Sequence, residues 1–127
     1  MKILNLVLKG KWYDMIERGE KKEEYREFKP YWEKRLLNYK AIQKYVRENY
    51  EEITIKRILF PWRTPIENAD RAFPRGFTHV QFRHGYTSKR SMLWTIESIT
   101  IGFDGKQEWG ALKDKPMFII RLGERIK

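Results

Sequence analysis

Cysteine is absent from this chain of 127 residues, and histidine occurs only at His79 and His84. Without cysteine the protein forms no disulfide bond and has no thiolate metal site. Two histidines are also too few for a histidine-rich zinc centre. The sequence therefore predicts neither a metal nor a cofactor.

Long apolar runs are missing as well. The N-terminal run from Ile3 to Leu8 is interrupted by Asn5 and followed by Lys9, which makes it too brief for a signal peptide or a membrane span. Binding to a membrane surface needs a helix with a wide apolar face opposite a basic face, and the best helical segments here carry acidic residues too. We therefore expect a cytoplasmic protein with no membrane partner.

Basic residues outnumber acidic ones. The chain has 27 lysines and arginines against 17 aspartates and glutamates, a formal net charge of +10 at pH 7. This excess favours a polyanionic partner, with nucleic acid as the leading candidate. The basic residues recur along the chain rather than in one tail, which predicts a folded basic surface. With 41% hydrophobic and 15% aromatic residues, one compact domain over 1–127 is expected.

Strand-like patterns predominate in the second half of the chain. They combine β-branched residues with alternation of apolar and polar side chains. Pro61 and Pro74 predict an irregular connection over 61–77, and Asp104-Gly105 is typical of a hairpin turn. The predicted strands are residues 3–8, 22–27, 53–60, 80–83, 92–101 and 117–122.

A short amphipathic helix is predicted just before Gly19. Trp12, Met15 and Ile16 recur at the three- and four-residue steps that line one helix face. We expect that face to pack inward, with Tyr13 off it. Gly19 then tolerates the left-handed conformation found at helix C-termini, so the chain is expected to turn there into the next strand.

The predicted helices are residues 11–18 and 31–38. Pro30 suits the first turn of the second helix. That helix either extends to about Asn49 or breaks near Tyr39 and resumes. Several short strands with two or three helices fit a small β-barrel of the α+β (mixed) class. Its core is expected to hold most phenylalanines and Trp12, Trp32 and Trp94.

The run after Gly19 packs both signs of charge around Tyr25. Because side chains alternate along a strand, Glu24 and Arg26 are expected on one face, with Lys21 leaning over it from the turn. A carboxylate held between an ammonium and a guanidinium can bind phosphate or take part in proton transfer. On composition alone, the alternative is a solvated charged surface whose ion pairs contribute about 0–1 kcal/mol each.

The spacing Gly-x-Lys-x-x-Glu-x-Arg, which begins at Gly19 and ends at Arg26, resembles the signature of the ASCH domain. That family has a small PUA-like β-barrel and is associated with RNA. All four signature positions match, and the resemblance spans most of the chain, with the least clear match over 41–75. It implies a single ASCH-like domain with a PUA-like barrel. The other similar segments are residues 3–16, 25–32, 82–86 and 109–111.

The first class of function is RNA or nucleotide binding in a basic cleft around the motif. Aromatic rings beside cations can hold an unstacked base together with its phosphate. Such pairs occur in two regions predicted to be loops. The candidate nucleic-acid contacts are Lys21, Lys22, Arg26, Trp62, Arg63, Arg83, His84 and Tyr86.

The second class is a hydrolase acting on RNA or on a modified nucleoside. Some members of the family that this chain resembles are amidohydrolases that deacylate N4-acylcytidine, and others are ribonucleases. The resemblance implies Lys21, Glu24 and Arg26 as the catalytic residues. A threonine stands at the Glu24 position of those amidohydrolases, and Glu97 and Glu67 are the candidates for their additional glutamate.

Lysine chemistry sets a condition on the hydrolase. To act as a neutral base, Lys21 would need its pKa lowered from about 10.4 to near 7. Only burial can supply such a change here, because Glu24 favours the charged lysine. Lys21→Ala and Arg26→Ala are expected to remove ligand or substrate handling with little loss of fold.

Overall fold

The computed structural model of the protein describes residues 1–27, 29–37, 76–86 and 89–127. These residues form a mixed α+β domain with two α-helices and a curled five-stranded sheet that makes half a barrel. The predicted α+β class is therefore confirmed, and the predicted barrel is confirmed as a half-barrel sheet. The elements are β1 (Ile3–Leu8), α1 (Gly10–Glu17), β2 (Glu23–Glu27), α2 (Pro30–Leu36), β3 (His79–His84), β4 (Ser91–Gly102), a 3-10 helix (Gln107–Trp109) and β5 (Met117–Arg125).

The strand order of the sheet is β1-β3-β4-β5-β2. β1 and β3 are parallel, and the other neighbouring pairs are antiparallel. β1 and β2 therefore stand at the two ends of the order. The curl of the sheet brings these two strands close together. Nη2 of Arg26 on β2 donates a hydrogen bond to the carbonyl oxygen of Val7 on β1 at 3.2 Å.

The core lies on the inner face of the curled sheet. Alternate residues of the strands point into it, and α1 and the end of α2 cover it. A fully buried leucine or isoleucine contributes about 1.5–3 kcal/mol relative to an exposed one. The core residues are Leu4, Leu6, Leu8, Tyr13, Ile16, Leu36, Leu37, Val80, Phe82, Met92, Ile99, Phe118, Ile120 and Leu122.

The inward face of α1 differs from the prediction. Tyr13 and Ile16 are buried, whereas Trp12 and Met15 are half-buried. Tyr13 packs inward because its ring meets the ring of His84 edge-on, with 5.0 Å between centroids. The prediction that placed Tyr13 off the core face was therefore wrong.

The predicted tryptophan core is correct only in part. Trp32 and Trp94 are partly buried and pack against the core cluster. Trp12 instead lies with its ring centroid 4.6 Å from the Nζ of Lys21. Phe82 and Phe118 are fully buried, as expected.

Asp104-Gly105 does not form a hairpin turn. β4 ends at Gly102 and β5 begins at Met117, and the connection between them contains the 3-10 helix. Gly105 is packed closely, because a Cβ there would lie 2.8 Å from the Cβ of Ala111. The predicted strand 53–60, the helix extension toward Asn49 and the connection over 61–75 lie outside the described residues.

Candidate functional site

The end of α1 brings Lys21 to the start of β2. Gly19 adopts a φ of 79°, in the left-handed region. Its N–H donates to the Ile16 carbonyl at 3.0 Å. The N–H groups of Glu20 and Lys21 both donate to the Met15 carbonyl, at 2.9 and 3.1 Å. This is a Schellman motif, and it confirms the turn predicted at Gly19.

The pairing of β2 with β5 decides which way the motif side chains point. Glu24 lies opposite Ile120, and Arg26 lies opposite Phe118. Both partners are fully buried core residues. Because directly opposed residues point to the same face of a sheet, Glu24 and Arg26 face the inside of the half-barrel.

Glu24 binds both neighbouring cations. Its Oε1 lies 3.0 Å from the Nζ of Lys21, and its Oε2 accepts a hydrogen bond of 2.7 Å from Nη2 of Arg26. Lys21 is only 2% exposed and Glu24 only 4% exposed. The motif is therefore a buried ion cluster rather than a solvated charged surface. Removing one partner of a buried pair typically costs about 3–5 kcal/mol, because the other charge is left uncompensated.

The surroundings of Lys21 suit an ammonium. Its Nζ also donates to the backbone carbonyl of Trp109. It lies 4.6 Å and 5.1 Å from the ring centroids of Trp12 and Tyr25, within range of cation–π attraction. Burial lowers the pKa of Lys21 below its ordinary value, while the Glu24 carboxylate opposes that change by favouring the charged form.

Arg26 uses only part of its guanidinium for these contacts. Nη2 donates to Glu24 and to the Val7 carbonyl. Nε is buried without a hydrogen-bond partner, and the guanidinium carbon lies 4.9 Å from the ring centroid of Trp32. The Arg26 side chain is 19% exposed, and within the described residues Nη1 makes no hydrogen bond. Its two N–H donors therefore remain for a ligand.

A cavity of about 370 Å³ opens beside the ion cluster, between the two end strands of the sheet. This volume falls within the usual range of small-molecule sites. Tyr86, which is 88% exposed, stands at its rim. The other residues that border the cavity include Lys9, Trp12, Lys21, Glu24, Arg26 and Gly110.

Gly110 allows the β4–β5 connection to approach α1. Its φ is 105°, and a Cβ there would lie 3.2 Å from the ring of Trp12. A larger residue would be strained at this φ and would also press on that ring. The close approach carries the carbonyl of the preceding residue, Trp109, to Lys21.

Tyr25 attaches the same connection to the outer face of β2. Its hydroxyl donates to Glu23 at 2.7 Å and accepts from the N–H of Lys106 at 3.0 Å. Glu23 in turn pairs with Arg121 at 3.0 Å, and Arg121 pairs with Asp104 at 3.3 Å. Burial raises the pKa of Tyr25 well above its ordinary value, so the hydroxyl keeps its proton.

The structure brings only some of the sequence-predicted contacts together. The cavity is bordered by Lys21, Glu24, Arg26 and Tyr86. Lys22 is exposed and does not border it. The remaining candidates lie elsewhere or outside the described residues.

Arg83 and His84 are separated from the cavity. Arg83 borders a different hollow, of about 240 Å³, on the outer face of β3. His84 packs against Tyr13, and its Nε2 lies 4.0 Å from an oxygen of Asp14. Glu97 is exposed on β4 and does not border the cavity either. The candidates outside the described residues are Trp62, Arg63 and Glu67.

Sequence reasoning did not place Trp12, Lys9 or the Trp109 carbonyl at the site. Lys9 and Trp12 come from the junction of β1 with α1, and no local pattern links them to Lys21. The segment 109–111 could have pointed to this part of the site, because it is one of the segments similar to the ASCH family. From the sequence we predicted no role in the site for this segment. Its glycine, Gly110, is the residue whose φ the site needs.

No protein-family model, no curated protein and no solved structure matches this chain. Across residues 1–27, 29–37, 76–86 and 89–127, no group of three or more acidic or histidine side chains could hold a metal ion. No helix within those ranges is long and apolar enough to cross a membrane. The geometry of the cavity is therefore what points to a function.

Proposed function

We propose that this chain binds RNA or a nucleotide, with one base held in the cavity beside Lys21, Glu24 and Arg26. One observation carries the proposal: a buried ion cluster borders an open cavity that aromatic rings also border. We further propose that the chain is an ASCH-like domain with a PUA-like barrel, on the basis of its complete motif and its curled sheet.

The ion cluster supports recognition of a base edge. Each oxygen of the Glu24 carboxylate has a second lone pair, which can accept from an exocyclic amine. One N–H of Arg26 Nη1 can donate to a base carbonyl or a ring nitrogen. Unstacked bases present such groups on their Watson–Crick and Hoogsteen edges. The cluster therefore offers donors and acceptors of the kinds that single-stranded RNA displays.

Aromatic rings and basic residues support the rest of a nucleotide. Tyr86 is exposed at the rim, where a base can stack on it. Lys9 is exposed beside the cavity, and the chain carries a net charge of +10, which favours the phosphate backbone. Stacking on one aromatic side chain contributes about 1–3 kcal/mol per base.

The test is a titration of a labelled single-stranded RNA with wild type and Tyr86→Ala at two salt concentrations. Phe103→Ala is the matched control, because Phe103 is also an exposed aromatic residue but does not border the cavity. We expect Tyr86→Ala to weaken binding about tenfold and Phe103→Ala to leave it unchanged. Equal affinities for all three proteins would contradict the proposal. We expect all three proteins to bind the RNA more weakly at the higher salt concentration.

The second candidate is a hydrolase that uses the same cavity, either a ribonuclease or an N4-acylcytidine amidohydrolase. The observation in its favour is the burial of Lys21, which lowers the pKa of that lysine in the direction the hydrolase requires. In amide hydrolysis water adds its hydroxyl to the acyl carbon, the C–N bond breaks, and the amine takes the proton. Neutral Lys21 could take this proton from the attacking water and pass it to the departing amine.

Product analysis distinguishes the two functions. Wild type and Lys21→Met are incubated with N4-acetylcytidine and with short RNA. Cytidine and acetate, or shortened RNA, formed by wild type and lost in Lys21→Met would establish the hydrolase. Salt-sensitive binding without product would favour the binding function. Glu24 stands where the amidohydrolases have threonine, which places this candidate second.

A further inference from the structure

A second cavity adjoins the first on the far side of Arg26. Its volume is about 260 Å³. Tyr25, Arg26 and Gly110 border both cavities, so the two cavities adjoin at these residues. The second cavity extends along the end of β2 toward α2, where Lys29 and Trp32 border it.

The second cavity is bordered by apolar groups, by the cations Arg26 and Lys29 and by the carboxylate of Glu27. Leu112, which is 41% exposed, provides an apolar surface. Trp32 is half-buried, and its ring lies beside the Arg26 guanidinium. Lys29 is exposed and pairs with Glu27 at 3.0 Å. A base needs an apolar surface and a phosphate needs a cation, and this cavity offers both.

Arg26 is the charged residue that the two linings share. Its Nη2 is occupied by Glu24 and by the Val7 carbonyl, while Nη1 keeps two donors in a planar arrangement. A guanidinium N–H can donate a charge-assisted hydrogen bond to a phosphate oxygen, and one N–H of Nη1 is the donor left for this contact when a base accepts from the other. A phosphate at this position would lie between the two cavities.

We propose that the two cavities form one groove that binds two consecutive nucleotides of single-stranded RNA, with the linking phosphate at Nη1 of Arg26. This inference rests on the proposed function, since it requires the first cavity to hold a base. It makes the ligand an oligonucleotide rather than a free nucleoside. Tyr86 in one cavity and Leu112 in the other are exposed apolar side chains that such a ligand would cover.

The test compares a mononucleotide with a dinucleotide. The probes are cytidine 5′-monophosphate and the dinucleotide CpC, with adenosine 5′-monophosphate and ApA as the purine pair. CpC carries less negative charge than the mononucleotide, so tighter binding of CpC cannot come from charge alone. Leu112→Glu alters the second cavity. Its control is Ile126→Glu, because Ile126 is 47% exposed and borders neither cavity.

We expect wild type to bind at least one dinucleotide about tenfold more tightly than its mononucleotide. Leu112→Glu is expected to remove that advantage and to leave mononucleotide binding equal to that of Ile126→Glu. Ile126→Glu should keep the advantage.

Two other outcomes overturn the inference in different ways. If dinucleotides bind no more tightly than mononucleotides in wild type, or if Leu112→Glu weakens both equally, the groove is wrong while nucleotide binding stands. If neither kind of ligand binds wild type, the proposed function fails and the groove fails with it.

Discussion

Arg26 on β2 donates a hydrogen bond of 3.2 Å to the backbone carbonyl of Val7 on β1, and so joins the two end strands of the curled sheet. The same Nη2 also donates to Glu24 at 2.7 Å. One side chain therefore both bridges the opening of the half-barrel and completes the buried ion cluster. Changes at Arg26 are expected to affect stability as well as binding.

Arg26→Lys tests the bridging role at constant charge. A lysine ammonium has a compact charge and lacks the planar fork of arginine, so we expect it to lose the Val7 or the Glu24 contact. The free energy of unfolding should fall by about 1.5–3 kcal/mol, the range for hydrogen bonds to charged groups. Urea denaturation measures this change. Unchanged stability in Arg26→Lys would show that the guanidinium geometry does not hold the end strands together.

Glu24→Ala leaves Lys21 buried without its carboxylate. We expect the free energy of unfolding to fall by about 3–5 kcal/mol. The control is Glu20→Ala, which removes the exposed ion pair between Glu20 and Arg18 and should cost less than about 1 kcal/mol. Equal effects of the two variants would mean that the Glu24 cluster is no more important than a surface pair.

A second substitution should rescue part of that loss. The double variant Lys21→Met with Glu24→Ala removes both the ammonium of residue 21 and the carboxylate of residue 24, so neither of these two charges is left buried without its partner. We expect it to be more stable than Glu24→Ala alone, because an unpaired buried charge costs more than an apolar replacement. Chemical denaturation of all four members of the cycle measures the coupling. A double variant that is less stable than Glu24→Ala would contradict the account.

The pKa of Lys21 predicts a pH dependence of stability. Burial lowers that pKa in the folded protein, so in alkaline solution the unfolded chain holds this proton more tightly than the folded chain. The free energy of unfolding should therefore rise with pH as the pH approaches the unfolded-state value of about 10.4. The difference between wild type and Lys21→Met isolates this contribution. A difference that falls or stays flat over the alkaline range would contradict it.

Gly110→Ala tests the close approach of the β4–β5 connection to Trp12. Gly19 also has a positive φ, but a Cβ there would meet no atom within 4 Å. We expect Gly110→Ala and Gly19→Ala both to lose about 1–2 kcal/mol of stability from backbone strain. Only Gly110→Ala should also change the near-UV circular dichroism, because it displaces the indole ring of Trp12. Identical spectra for the two variants would show that the ring does not depend on Gly110.

Local signals predicted several elements well. The bounds of β1 match the apolar run from Ile3 to Leu8, and α1 ends at Glu17, just before the expected turn at Gly19. The pairing of Glu24 with Lys21 and Arg26 also follows from local spacing, since side chains alternate along a strand. These features depend on neighbours within a few residues, which is why the sequence alone reveals them.

Contacts between distant segments were not predictable in this way. Tyr13 packs inward because β3 presents His84 to it, and Asp104-Gly105 forms no hairpin because the connection folds against β2. The burial of Lys21 depends on the Trp109 carbonyl, which is 88 residues away. The sequence alone led us to expect that Lys21→Ala spares the fold, whereas the burial of Lys21 now leads us to expect a loss of stability.

The most direct test of the central claim is an NMR titration of the indole N–H signals with cytidine 5′-monophosphate and with CpC. The Trp12 signal, assigned through Trp12→Phe, reports on the cavity. The Trp94 indole N–H is buried and does not border it, so it serves as the internal reference. A saturable shift of the Trp12 signal with a constant Trp94 signal is the expected result. Binding that leaves Trp12 unshifted, or an absence of binding, would contradict the account.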